Sequence, residues 1–215
     1  MFKNVYITGF LVIAILGLST ADLAADSRTS DAALKDLENA VTAVFIERQH
    51  SPLAHSVAGL ERAIAVVKVD GLRQYALVLK PSRSPPASGW PVVIFNHGFH
   101  PTPHDNGRRA ADGISDRPGD YYRQIPKAIA HAGFLVVTPD YRGHNDSEGA
   151  NFTLRRDSPI WYARDVQGVF AIAGNLDNID LNNVFMLGHS MGAAVTLRAA
   201  AALDASIRGV SLWSA

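Results

Sequence analysis

Gly188-His189-Ser190-Met191-Gly192 stands between an apolar run, Val184 to Leu187, and an alanine-rich stretch that begins at Ala193. A serine flanked by glycines two positions away on each side, with a strand before it and a helix after it, is the arrangement that lifts a hydroxyl out of a strained turn to act as a nucleophile. Gly188 and Gly192 are then steric requirements of the turn, His189 is the neighbour that points away along it, and Ser190 is the candidate catalytic residue. An earlier apolar run, Pro91 to Asn96, closes with His97-Gly98-Phe99. A backbone N–H at such a place can hold the oxyanion of a tetrahedral intermediate. The two donors are assigned to the amides of Phe99 and Met191. The Met191 amide opens a helix, where its donor is unused and the dipole favours negative charge. His97 reads as a prop of its turn, held by hydrogen bonding.

A serine hydroxyl needs a histidine to take its proton and a carboxylate to orient that histidine. After Ser190 the sequence holds one carboxylate, Asp204, and no histidine. The acid and base of a triad are therefore not present in this chain, which taken alone is expected to be hydrolytically silent. The earlier histidines are poor substitutes. His131 closes a helix, His144 lies in a loop, and His50 and His55 precede the sheet. His100 and His104, with Asp105, lie in a long polar segment, and Pro101 and Pro103 prevent the helix that would bring them to one metal. That segment reads as a substrate-facing or solvated loop, and no metal or cofactor is expected. Tyr121-Tyr122 and Trp161-Tyr162 read as packing anchors.

These residues must be positioned by a sheet. Ala63 to Val69 and Leu72 to Leu79 are β-rich runs joined by Asp70-Gly71, an antiparallel hairpin expected at a sheet edge. Pro91 to Asn96, Phe134 to Thr138, Val184 to Leu187 and Val210 to Trp213 are short apolar runs. Helical patterns at about 119 to 132, 160 to 173 and 191 to 203 alternate with them. That alternation predicts parallel strands with helices on both faces. Leu34, Leu37, Val41, Val44 and Phe45 recur at helical spacing, so residues 31 to 48 are expected as an amphipathic helix. The last strand is expected to leave an open edge with Leu212 and Trp213 exposed.

The runs P-V-V-I-F-N-H-G-F, G-F-L-V-V-T-P-D-Y-R-G-H-N-D-S-E-G and V-F-M-L-G-H-S-M-G-A-A, in that order, resemble the α/β-hydrolase fold. They look most like the catalytic domain of the prolyl oligopeptidase-type serine hydrolases. The resemblance covers roughly residues 61 to 213. It implies an acyl-enzyme on Ser190, an oxyanion loop at His97-Gly98-Phe99, and a structural loop at Asp140-Tyr141-Arg142-Gly143 behind the serine. It also places the acid after the seventh strand and the base after the eighth, whereas this sequence ends near the sixth, an apparent C-terminal truncation. Asn145 stands where such sequences carry glycine, a position that asparagine tolerates through its access to left-handed angles. Two readings stay open: an exported hydrolase of ester or peptide bonds, and a non-catalytic chain that kept the serine turn.

Composition narrows the partners. The 215 residues carry 20 Lys+Arg against 20 Asp+Glu, so no charge excess points to nucleic acid. The absence of cysteine excludes disulfides and a thiol nucleophile. Lys3, the apolar run Val5 to Leu18 and the small residues Ser19-Thr20-Ala21 read as a signal peptide, too short for a stable membrane anchor. The expected organisation is a leader at 1–21, a helical segment at 22–60 and a hydrolase domain at 61–215. The expected partner is a small ester or peptide, and the expected location is periplasmic or extracellular.

Overall fold

In a computed structural model, the structure describes residues 6–8, 41–47, 58–99, 124–203 and 206–214. One sheet runs through them. Its strands are β1 (Tyr6–Thr8), β2 (Val41–Glu47), β3 (Leu60–Val69), β4 (Leu72–Pro81), β5 (Trp90–Asn96), β6 (Leu135–Asp140), β7 (Ile179–His189) and β8 (Gly209–Trp213). The helices are α1 (Gln124–His131), α2 (Ser158–Gly174) and α3 (Met191–Leu203). The strand order is β1-β8-β7-β5-β6-β4-β3-β2. The pairings β1/β8, β8/β7, β7/β5 and β5/β6 are parallel, and those of β6/β4, β4/β3 and β3/β2 are antiparallel.

The apolar runs become strands covered on both faces. In β6, Leu135 and Val137 join the larger core cluster with Val166 and Val169 of α2 and Val195 and Ala199 of α3. Val136 between them joins a second cluster with Ala130 of α1. Alternate residues of one strand thus enter two cores, which is why the sequence shows no polar alternation there. The expected mostly parallel sheet with an antiparallel hairpin and helices on both faces is the fold observed. Asp70 and Gly71 both have positive φ, 51° and 79°, as a two-residue hairpin turn between Val69 and Leu72 demands.

Several expectations are corrected. Val41–Glu47 is a strand, not the second half of a helix: it pairs antiparallel with β3 from Val41↔Val69 to Glu47↔Ile64. The rest of the expected helix lies outside the described residues. The hairpin consequently is not the sheet edge, because β2 satisfies the outer hydrogen bonds of β3. At the other end, Tyr6–Thr8 pairs in parallel with Ser211, Leu212 and Trp213, so β8 is not an open edge over that length. Leu212 is buried and Trp213 partly so. Of the helix expected at 119 to 132, Gln124–His131 is observed, and its first residues lie outside the described part, with His100, His104, Asp105, Tyr121, Tyr122, His50, His55 and Asp204. Among the described residues no helix is long and apolar enough to cross a membrane.

Candidate active site

Ser190 occupies the single residue between β7 and α3, with φ +53° and an exposed side chain. A β-carbon on Gly188 would fall on the Gly192 carbonyl and the Thr196 hydroxyl, and one on Gly192 would fall on the Asn96 and His97 carbonyls. The glycines therefore let three backbone segments converge under the serine. Hydrogen bonds fix the convergence. The Ser190 N–H donates to the Trp213 carbonyl at 2.9 Å, the Ala193 N–H to the Ser190 carbonyl at 2.8 Å, and buried Asn96 Nδ2 to Thr196 Oγ1 at 2.7 Å. The last of these ties the end of β5 to the first turns of α3, and so the His97-Gly98-Phe99 turn to the serine turn.

The His97 ring contacts the Gly98 carbonyl through Nδ1 at 2.9 Å, which makes Nδ1 the protonated nitrogen. His97 is buried and stacks on Tyr141 at 4.4 Å between ring centroids, while the Tyr141 hydroxyl donates to the His97 carbonyl at 3.0 Å. These contacts hold His97 against the turn that carries Phe99. Tyr141 stacks in turn on Tyr162 of α2 at 4.7 Å, and His144 meets both rings edge-on. Burial raises the Tyr162 hydroxyl above its ordinary range.

Behind this aromatic layer the Asp140–Gly143 loop carries a buried ion pair. Asp165 accepts from the Arg142 backbone N–H at 2.7 Å, from Nε at 2.9 Å and from Nη2 at 2.7 Å. Arg142 Nη2 also reaches Asp70 at 3.1 Å, and its guanidinium lies over the Phe152 and Trp161 rings. Burial pushes the Asp165 carboxyl up to about 6 against the pull of Arg142. The two acids together hold the guanidinium protonated despite its burial. Asn145, φ +49°, donates through Nδ2 to Asp140 Oδ1 at 2.6 Å, so the residue in the place of a glycine adopts the left-handed angle and adds a bond.

In front of the layer opens a cleft of about 390 Å³ bounded by Phe99, His144, Leu154, Arg155, Arg156, Ser158, Pro159, Tyr162 and Met191. Phe99 and Met191, the two residues expected to supply oxyanion amides, both line it. Exposed Ser190 immediately precedes Met191 in the chain. Sequence reasoning missed the Leu154–Pro159 rim and the Asp165–Arg142 pair. The signal for the pair was an aspartate inside the buried stripe Tyr162, Val166, Val169, Ile172 and Ala173 of α2. The rim left no comparable signal.

A central run of parallel strands with helices packed around it, and a sharp serine turn joining strand β7 to helix α3, is the architecture of an α/β hydrolase, and residues 91–215 match the α/β hydrolase fold family. The chain belongs to that family. It is 35% identical over 91 residues to a monoglyceride lipase homolog of monkeypox virus, covering 40% of this chain and 31% of that protein. It is 26% identical over 149 residues to the monoglyceride lipase of Rattus norvegicus, covering 69% of this chain and 41% of that one. The chain spans less than half the length of these curated relatives. Acetyl xylan esterase 1 from Thermoanaerobacterium sp. superposes with a TM-score of 0.59 at 20% identity, covering 86% of this chain and 56% of the esterase.

Proposed function

We propose that the protein is a serine hydrolase of small esters, exported from the cell, that works through an acyl-enzyme on Ser190. The observation that carries this is the placement of Ser190: exposed, at φ +53°, on the turn between β7 and α3, immediately before Met191, which lines a cleft together with Phe99. A non-glycine residue held in that region costs about 1–3 kcal/mol and persists where function uses it. In the reaction the Ser190 Oγ adds to the ester carbonyl, and the carbonyl oxygen takes up negative charge between the Phe99 and Met191 amides. The carbonyl then re-forms, the C–O bond breaks, and the alcohol leaves with a proton. Water repeats the sequence on the acyl-enzyme and restores the serine. The proton moves through a histidine paired with an acid, roles assigned to no residue of this chain. The matched relatives are named as lipases and an esterase, which favours ester over peptide bonds and so the esterase over the prolyl oligopeptidase-type reading.

The test uses the protein expressed from its complete reading frame. A fluorophosphonate probe should label it once, and Ser190→Ala should abolish both labelling and p-nitrophenyl ester hydrolysis while the far-ultraviolet circular dichroism stays unchanged. Persistent labelling of the alanine variant would refute the assignment. Absence of turnover in the parent would favour the non-catalytic reading.

A further inference from the structure

The rim of the cleft between Phe152 and Trp161 is built with little slack. Ser158 Oγ accepts from the Arg155 N–H at 2.9 Å and donates to the Phe152 carbonyl at 2.6 Å. Arg155 forms a two-pronged pair with Asp157 at 2.7 and 2.8 Å, and Trp161 Nε1 donates to the same carboxylate at 3.0 Å. Those bonds hold the Asp157 carboxyl down at about 2, the Arg155 bond being the larger cause and the Trp161 bond the next. Phe152 packs edge-on against Trp161. Every polar side chain from Ser158 back to Arg155 is thus committed within the rim, with one exception.

Arg156 lines the same cleft, is exposed, and has no ion-pair or hydrogen-bond partner among the described residues. Beside it Leu154 is 66% exposed with φ +59°, and across the cleft Phe99 is 53% exposed. A leucine gains nothing locally from a left-handed backbone angle, and exposure of its side chain gains nothing from burial. The combination holds two apolar side chains and one uncommitted guanidinium around a single opening that Met191, next in the chain to Ser190, also lines.

We propose that Arg156 determines specificity: the cleft takes an ester that carries both an apolar part and a negatively charged group, the apolar part against Leu154 and Phe99 and the anion on Arg156. Arg155 cannot play this part, because Asp157 already neutralises it with good geometry. The anion can be a carboxylate on the acid half or on the alcohol half of the ester, since a guanidinium recognises either. The inference rests on the reading of Ser190 as nucleophile, which puts the ester in this cleft.

Two matched pairs of substrates separate the halves. Mono-p-nitrophenyl succinate against p-nitrophenyl butyrate places the charge on the acid side at equal chain length, and 4-acetoxybenzoate against phenyl acetate places it on the alcohol side. We expect kcat/KM to favour the charged member of one pair by about 5- to 20-fold at low salt, a partly exposed charge-assisted contact. Arg156→Gln should erase that preference by lowering kcat/KM for the charged member more than for the neutral one, and Arg156→Lys should restore part of it. A preference that survives in Arg156→Gln, or no preference in either pair, overturns the proposal. A binding measurement keeps this independent of turnover. By ligand-observed magnetic resonance, monomethyl glutarate should bind Ser190→Ala protein several-fold tighter than methyl valerate and lose the advantage when Arg156→Gln is added. If that advantage is present while Ser190→Ala leaves ester hydrolysis unchanged, the nucleophile assignment fails and the anion site stands. Equal binding of the two ligands removes the anion site whatever Ser190 does.

Discussion

Asp165→Ala would test how the loop behind the serine is held. The carboxylate is fully buried and receives three N–H groups from Arg142, whose side chain is 1% exposed. Its removal strands a buried guanidinium and one buried backbone N–H. Breaking a buried pair from one side costs about 3–5 kcal/mol. Asp70 stays within 3.1 Å of Nη2, but its side chain is 33% exposed and solvent screens it, so it offsets only part of the loss. The expected destabilisation is about 3 kcal/mol, a large fraction of the roughly 5–15 kcal/mol that stabilises an ordinary domain. Urea unfolding followed by circular dichroism should show a lower midpoint at unchanged slope. The double variant Arg142→Met/Asp165→Leu removes both charges and keeps the volume, and should recover most of the stability, since apolar replacement of a buried pair is often neutral. A loss below about 1 kcal/mol in Asp165→Ala, or a double variant weaker than the single, would refute this account of the pair.

The remaining expectations concern pH, the two turns and the leader. Because burial raises the folded Asp165 carboxyl to about 6 from an ordinary 3.8, the folded state binds more protons between those values. The contribution of Asp165 to stability is therefore full below about pH 4 and declines as pH rises to about 6, a slope that Asp165→Asn should remove from the midpoint-against-pH curve. Asn145→Ala should cost about 1–2 kcal/mol in urea unfolding by imposing a left-handed angle on alanine and deleting the bond to Asp140, whereas Asn145→Gly should cost less. Thr196→Val should leave buried Asn96 Nδ2 without its acceptor, cost about 1–3 kcal/mol and slow ester hydrolysis by loosening the Phe99 turn. Ser190→Gly should raise the unfolding midpoint by relieving the +53° angle while abolishing fluorophosphonate labelling. If export removes residues 1–21, mass spectrometry of the exported protein should find Asp22 first, and β1 would then be absent from the mature sheet; retention of Met1 would favour β1 as a lasting strand.

The central strands and α3 were legible because burial on both faces leaves a strong mark, an uninterrupted apolar run bounded by breakers. The misreading of 41–47 has a physical cause. Val41, Val44 and Phe45 satisfy helical spacing, but Val-Thr-Ala-Val-Phe-Ile is also rich in β-branched and aromatic residues, and over seven residues the two periods cannot be told apart. What decided the matter was non-local: the outer edge of β3 had backbone groups to satisfy, and β2 satisfies them. Pairing of Tyr6–Thr8 with β8 is likewise a property of two segments some 200 residues apart, invisible to a local reading.

The site divides along the same line. Ser190, Gly188, Gly192 and the Phe99 turn could be read because their geometry imposes residue type: only glycine leaves room for the converging carbonyls, and only a strand-to-helix junction aims the hydroxyl outward. Arg155 and Arg156 are identical as letters. Their difference lies in Asp157 and Ser158, which engage the first, with Trp161 holding Asp157 in place, and leave the second uncommitted. Steric necessity writes itself into sequence, whereas specificity arises from which of several equivalent charges a fold happens to neutralise. Catalytic class could therefore be argued from the chain's residues, and substrate charge only from their arrangement around the cleft.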